Sequence, residues 1–408
     1  MSEEAVVREM VIDPVFGLVI AIAVLWMGTF LTRKSSFLTR FNIPASVTGG
    51  IVCSAIIAGI YFLRDTRITF NLELRDTLLL AFFSTIGLSA RLRLLLEGGK
   101  LLAILLVAAV VILILQDLAG MLIAVAFGVH PGYGLMAGSI SFAGGHGTSI
   151  TWGQLAEEHG LENATDLGLA CATVGLIAGG LIGGPIAENL IRRRQLTGNP
   201  DSEACTTNPE TKEKTGPVSL DGVLDALWLL AVCIGLGRLG HTGLAEAGIT
   251  LPTFLPCMFV GIVLTNLMDL LKIRPNIASI GLCSDVSLQL FLAMSLMSMQ
   301  LWTIAAAVGP IIVVLGTQVA LMAAFARFVI FHISGKSYDS AVMAAGFAGL
   351  GLGATPVGIA NMRAVTSRFG ASPTAFLVIP LIGAFFLDIA NALIIQGFVA
   401  LPFFPPAD

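Results

Sequence analysis

"SFAGGHGTSITWGQ", residues 141–154, interrupts a chain that is otherwise apolar on both sides of it. Positions 141 to 151 hold four hydroxyl side chains, one histidine and three glycines. Each glycine weakens helical backbone by about 1 kcal/mol relative to alanine. Backbone that leaves the helix must then find other partners for its N–H and C=O groups. A second break of the same kind, "FAGLGLGATPVGIANM", occupies residues 347–362. What surrounds the two breaks determines what they mean.

The surroundings are membrane-like. Of 408 residues, 56% are hydrophobic and 12% charged, with a mean hydropathy of +0.91. Soluble domains carry about 25% charged residues, so this chain lacks the charge to coat a globule in water. It reads as an integral protein of the lipid bilayer. The net charge of −4 gives no reason to expect a nucleic-acid partner. No H-E-x-x-H or G-x-S-x-G motif is present and the five histidines are scattered, so an enzyme is not expected. The six cysteines show no paired spacing and predict no disulfide framework. The opening "MSEEAVVREM" lacks the positive n-region of a cleavable signal peptide.

About 20 apolar residues cross a bilayer. Runs of that order fall near 12–32, 43–63, 77–96, 101–128 and 166–191, then 219–239, 249–271, 279–299, 303–331 and 374–400. The third is the shortest before it meets Arg91. Stretches 131–152 and 339–361 are apolar but broken by Gly and Pro. The polar, turn-rich segment 192–217 separates the two sets and reads as a disordered linker. The expected division is a membrane half at 1–191, a linker at 192–218 and a second membrane half at 219–408.

The halves resemble each other. "DTLLLAFF" from Asp76 matches "DVSLQLFL" from Asp285, the two Gly-rich breaks correspond, and Gln116 and Gln318 sit in matching fourth spans. Five spans per half is an odd number, so the second copy enters the membrane from the opposite side. The expected fold is therefore all-α, an inverted repeat of two five-span halves, each with a Gly-rich re-entrant hairpin. With the N-terminus outside, only Arg8, Arg64, Arg67, Arg75 and Arg238 of the 22 Lys and Arg fall outside. The positive-inside rule thus puts both termini outside and the linker in the cytoplasm. Segment 131–152 then dips in from outside and 339–361 from the cytoplasm.

Irregular backbone at membrane depth lines a cavity, where glycine lets amides approach a small ligand and half-helix termini face charge. Close helix packing is the structural alternative for the same glycines. Asp388 and Asn391 lie three apart on one helix face, and a carboxylate deep in a span is a functional candidate. Asp117, beside Gln116, is a weaker candidate of the same type. Thr85 and Ser84 on the third span offer hydroxyls that a cation could use.

"GSISFAGGHGTSITW", "ENATDLGLACATVGLIAGGLIGGPIA", "GLGATPVGIANM", "FLVIPLIGAFFLDIANALII", "FNIPASVTGGIV" and "LRDTLLLAFFSTIGL" closely resemble the bacterial sodium/glutamate symporter family. The resemblance runs from about residue 36 to 400 apart from the linker. It implies sodium-coupled glutamate uptake across the bacterial cytoplasmic (inner) membrane, by elevator-type alternating access in a homodimer. Carried over to this chain, the substrate-binding motifs fall on Gly144, Gly145, His146, Gly147 and Thr148, with Ser149 following. The second set is Gly351, Gly353, Ala354, Thr355 and Pro356. Asp388 and Asn391, with Thr85 beside them, are the expected sodium ligands, sodium being the co-transported ion. A sodium symporter for another organic anion, such as a dicarboxylate, and an anion channel are the alternatives.

Overall fold

The computed structural model describes residues 8–40, 43–64, 66–92, 99–197, 218–246, 251–273, 275–300 and 308–401. Strand β1 (Arg8–Ile12) leads into α1 (Pro14–Lys34), short α2 (Ser36–Arg40), α3 (Ala45–Arg64), strand β2 (Thr66–Phe70), α4 (Glu73–Ser89) and α5 (Gly99–Ala126). The first broken segment follows as α6 (Pro131–Met136), α7 (Ser139–Phe142) and α8 (Gly145–Glu158), before the long α9 (Ala164–Arg194). The second half holds α10 (Leu220–Glu246), α11 (Phe254–Leu270), α12 (Ile277–Met297) and α13 (Val308–Ala324). The last continues through a π-helical turn, Phe325–Ile330, into α14 (Phe331–Ile333). Then come α15 (Tyr338–Leu352), α16 (Thr355–Phe369) and α17 (Pro373–Leu381), which passes through a second π turn, Ile382–Phe386, into α18 (Leu387–Val399).

Each apolar run expected to span is mainly helical among the described residues. Among the described residues, seven helices are long and apolar enough to cross a bilayer by length and composition. Apolar side chains such as Trp26, Leu122, Trp228 and Phe328, each at least 63% exposed, face outward as a lipid-contacting belt. The third span is short, 17 residues in α4, and α11 (Phe254–Leu270) is equally short. Helix starts follow local chemistry: Asp13 accepts the Val15 and Phe16 N–H groups at 2.9 and 3.2 Å ahead of Pro14, and Ser337 and Ser340 form a capping box.

Three features depart from the expectations or extend them. First, β1 and β2 pair in parallel, Arg8 against Thr66 through Ile12 against Phe70, which hydropathy does not register. Second, the arms of the broken segments run to Glu158 and Phe369, past the expected ends at 152 and 361. Those last turns are polar, so an apolar scan cuts them short. Third, Arg192–Arg194 belong to α9, and residues 198–217 of the expected linker lie outside the described residues.

Packing does not follow the division into halves. Helices α1, α3 and α4 pack with α10, α11 and α12 into one group. Helices α5 to α9 pack with α13 to α18 into another; the two groups' backbones rarely approach, and their side chains meet in a second hydrophobic cluster around Trp152, Phe254 and Phe291. The largest hydrophobic cluster, from Leu102 to Ala390, lies wholly in the second group. Each group thus draws on both halves of the sequence.

Candidate functional site

Both broken segments fold as helical hairpins. In the second, α15 and α16 lie side by side: Asn361 Nδ2 approaches the Ala345 carbonyl at 3.4 Å, and Tyr338 at one mouth donates to the Gly370 carbonyl at the other. Its tip is Gly353–Ala354. In the first, α6 and α7 fold back on α8, with Ser149 Oγ 3.0 Å from Ser141 Oγ across the arms. Its tip is Ala143–Gly144. The turn ends at Gly145, whose φ of +70° is disfavoured for any residue with a Cβ.

Helix α9 aligns the two hairpins. Going along it, Thr165 meets Gly153 of the first hairpin, Gly175 meets both Phe142 and Leu352 near the two tips, and Gly183 meets Asn361 and Ala345 of the second. The hairpins therefore enter from opposite ends and stand tip to tip. A Cβ built on Gly145 would lie 3.5 Å from the Gly353 carbonyl oxygen. Helices α8 and α16 both begin at this meeting point, at Gly145 and Thr355, and neither N-terminus has a side-chain cap. The N–H groups of the first turn of α8, the Thr355 N–H of α16 and two positive dipole ends thus converge, the Val357 and Gly358 N–H groups being bonded to the Ala354 carbonyl. Pro356 sits in the first turn of α16, where a missing N–H costs nothing.

The candidate side chains divide by what they touch. Thr148 is 5% exposed and has no hydrogen-bond partner among the described residues. Thr355 Oγ1 donates to the Gly383 carbonyl at 2.9 Å, which ties the second tip to the π turn before α18. His146 Nε2 is 3.0 Å from Thr173 Oγ1, whose own proton goes to the Leu169 carbonyl at 2.8 Å, so His146 is the donor. Ser149 is fully buried and also donates to the Gly145 carbonyl at 2.8 Å, which makes it a brace within the hairpin. A Cβ on Gly147 would lie 3.3 Å from Phe291 and 3.7 Å from Phe82 and Phe83, so the first tip faces an aromatic wall of the other helix group. Gly351 lies against Met322.

The expected cation ligands are not brought to one point. Thr85 Oγ1 donates to the Phe82 carbonyl at 2.6 Å and lies 2.8 Å from Ser284 Oγ, between α4 and α12. Asn391 is buried and engaged with Ser139: its Nδ2 donates to the Ser139 carbonyl at 3.1 Å, and its Oδ1 is 2.6 Å from Ser139 Oγ. Asp388 is half-buried and has no hydrogen bond or ion pair among the described residues. It lies on the last span between Gly383, which contacts the second tip, and Asn391, which contacts the first hairpin.

Two further polar residues tie the hairpins into the bundle, and the sequence pointed to them only as a matched pair. Gln116 Nε2 donates to the Gly351 carbonyl at 2.8 Å, and Gln318 Nε2 approaches the Gln116 and Ala137 carbonyls at 2.8 and 3.2 Å. Each half's glutamine thus reaches the other half's hairpin. Both are fully buried. Replacing either by leucine strands a buried carbonyl, at about 1–3 kcal/mol. The expected result is a lower thermal midpoint for each variant, with the double variant less destabilised than the sum, as read by a double-mutant cycle.

A bundle of apolar helices closed around two opposed hairpins, with uncapped helix N-termini at its centre, has the build of a secondary transporter. Comparison with known proteins agrees. The sodium/glutamate symporter family model matches residues 10–371. The chain is 40% identical over 396 residues to the sodium/glutamate symporter of Escherichia coli (strain K12), covering 96% of this chain and 99% of that protein. It is 38% identical over 387 residues to the sodium/glutamate symporter of Haemophilus influenzae, covering 93% and 95%. Among solved structures, the sodium proton antiporter MjNhaP1 from Methanocaldococcus jannaschii matches at a TM-score of 0.44 and 14% identity, over 96% of this chain and 99% of that one. The chain belongs to the sodium/glutamate symporter family.

Proposed function

We propose that this protein imports glutamate together with sodium across the bacterial cytoplasmic membrane. The observation that carries the reading is the convergence of two uncapped helix N-termini at the Gly145–Gly353 contact. Glutamate carries two carboxylates, and two positive helix ends with exposed amides match that charge. In this reading the amides of Gly145, His146 and Gly147 at the start of α8, the amide of Thr355 at the start of α16 and the free hydroxyl of Thr148 bind the carboxylates, while Gly144, Gly353 and Ala354, whose N–H groups bond the Ser139 and Gly349 carbonyls, form the turns that present them. His146, Ser149, Gly351, Thr355 and Pro356 shape the tips. Asp388, a hard oxygen ligand without another partner, takes sodium or the substrate ammonium. Asn391 and Thr85 act from the adjoining faces of α18 and α4.

Alternating access of the elevator type is part of the proposal. It is supported by the sorting of the helices into two groups that meet through an apolar side-chain seam with few close backbone approaches, one of which holds both hairpins. Orientation follows the Lys and Arg bias: termini outside, linker inside, the first hairpin entering from outside. The homodimer belongs to the same proposal and rests on the family likeness alone.

The test is uptake of labelled glutamate into proteoliposomes with and without an inward sodium gradient. Accumulation above equilibrium that vanishes when the gradient is dissipated supports the reading. Flux that ignores sodium overturns it and favours a channel. Stronger competition by a dicarboxylate lacking an amine than by unlabelled glutamate would move the assignment to another organic anion.

A further inference from the structure

We propose that a two-point polar latch, Asp76 with Gln154 and Asp166 with Gln300, fastens the two helix groups to each other at the mouth of the first hairpin. The latch must open before the tips can be reached from that side.

Among the described residues, two hydrogen bonds cross between the helix groups, and both lie at the same end of the bundle. Gln154 Nε2 on α8 donates to Asp76 Oδ1, at the start of α4, at 3.3 Å. The Gln300 N–H, just beyond α12, donates to Asp166 Oδ2, at the start of α9, at 3.3 Å. The two points are neighbours, because Glu157 of α8 accepts the Thr165 N–H of α9 at 2.9 Å. Each point has an arginine of the first helix group behind it. Arg75 is buried and turns Nε and Nη2 onto Asp76 Oδ1 at 2.9 and 2.7 Å. Arg67 Nη2 donates to Gln300 Oε1 at 3.1 Å. A guanidinium is planar and stiff, so it fixes the acceptor it holds. The crossing bonds themselves are long and partly exposed, hence individually weak, as contacts that break in every cycle must be.

The two hairpins differ in what is covered. Helix α8 is buried from His146 to Gly153, with Thr148 5% exposed. Helix α16 instead exposes Pro356, Arg363, Ala364, Ser367 and Arg368. A face with two exposed guanidinium groups meets water, since lipid would make those charges expensive. A cavity of about 900 Å³ opens beside the first hairpin, between Asp76, Gln154, Arg238 and Phe254, but it stops short of the tip. The Phe254 ring in its wall is 4.2 Å from that of Phe83 and 6.5 Å, edge-on, from that of Trp152. Phe83 in turn stands against Gly147 of the tip. The arrangement is therefore shut at the first hairpin's end and open along the second, and the crossing bonds are on the shut side.

That one group moves past the other rests on the alternating-access reading; the latch is tested without transport. Thiol labelling by a membrane-impermeant reagent, on a background without native cysteines and with neither glutamate nor sodium, reads it directly. One reporter is Thr148→Cys, reached from the first hairpin's side, and the other is Ala364→Cys, reached from the second's. A hydrogen bond of this kind changes the balance of shut and open by a factor of about three to ten. Gln154→Ala and Asp166→Ala are each expected to speed labelling at Thr148→Cys about threefold, and together about tenfold. Gln154→Lys sets an ion pair against Asp76 and is expected to slow it about threefold. Ala364→Cys is already exposed and is expected to gain nothing from either alanine. Labelling at Thr148→Cys that ignores all three variants, or that Gln154→Lys speeds, overturns the proposal. A rise at both reporters together also overturns it, because it shows general loosening. A protein whose labelling responds as expected but which accumulates no glutamate keeps the latch and loses the symport reading.

Discussion

Replacing Asp388 by asparagine is expected to end concentrative uptake. Asp388 is a carboxylate on the last span between two points of attachment: Gly383, which accepts from Thr355 at the second tip, and Asn391, which is joined to Ser139 of the first hairpin. It has no protein partner among the described residues, and in the proposed reading it is the carboxylate left to a cation or to the substrate ammonium. Removing one member of a desolvated charge pair costs about 2–5 kcal/mol, which is a loss of about 30-fold or more in ion or substrate affinity. Asparagine keeps size and one oxygen, so the helix should still insert and pack. The measurement is the sodium dependence of glutamate uptake in proteoliposomes. A variant with the wild-type sodium requirement would remove Asp388 from the site.

Gly144→Val is expected to act on substrate rather than on sodium. A Cβ at Gly144 would lie 2.6 Å from Thr148 Cβ and 2.7 Å from the Ile140 carbonyl oxygen. Both belong to the hairpin that presents the tip amides, and neither is the loose end of a long side chain. Overpacking of this kind costs about 1–3 kcal/mol. Since the strain falls where the amides must converge, glutamate affinity should drop about tenfold or more, with the bundle still inserted. Binding to purified protein at saturating sodium checks it. Undiminished affinity would show that the first tip is not part of the substrate site.

The spans were legible because lipid makes one demand of every helix that crosses it, and "LLAILLVAAVVILIL" from Leu101 answers it in any context. The hairpins were legible for a related reason: glycine clusters at 144–147 and 349–353 stand out against apolar neighbours. Which residues touch was not legible in this way. Asn391 and Ser139 are 252 positions apart, and Gln116 meets Gly351 across 235, contacts that no local period encodes. Ser149 shows the limit most plainly. From sequence it belongs with the binding motif, yet it is fully buried and braces the hairpin from within. A hydroxyl that serves a ligand and one that serves its own backbone have the same letter. The strands β1 and β2 escaped notice because five-residue elements are too short for their alternation to stand out beside an apolar helix.

Helix α9 carries glycine at 168, 175, 179 and 183, and the hairpins lie on it almost backbone to backbone. A methyl group at Gly175 would sit 2.6 Å from Phe142 and 2.7 Å from the Leu352 carbonyl, and one at Gly183 would sit 2.2 Å from the Asn361 amide nitrogen. Contacts this close leave no slack for one hairpin to slide while the other stays. In the proposed alternating access, helix and hairpins form a single cartridge that slips along its outer surface. On that proposal a change of side chain at Phe82, Phe83 or Phe291, where that surface runs past them, is expected to alter the rate of passage, and a change at the tips the grip on the cargo.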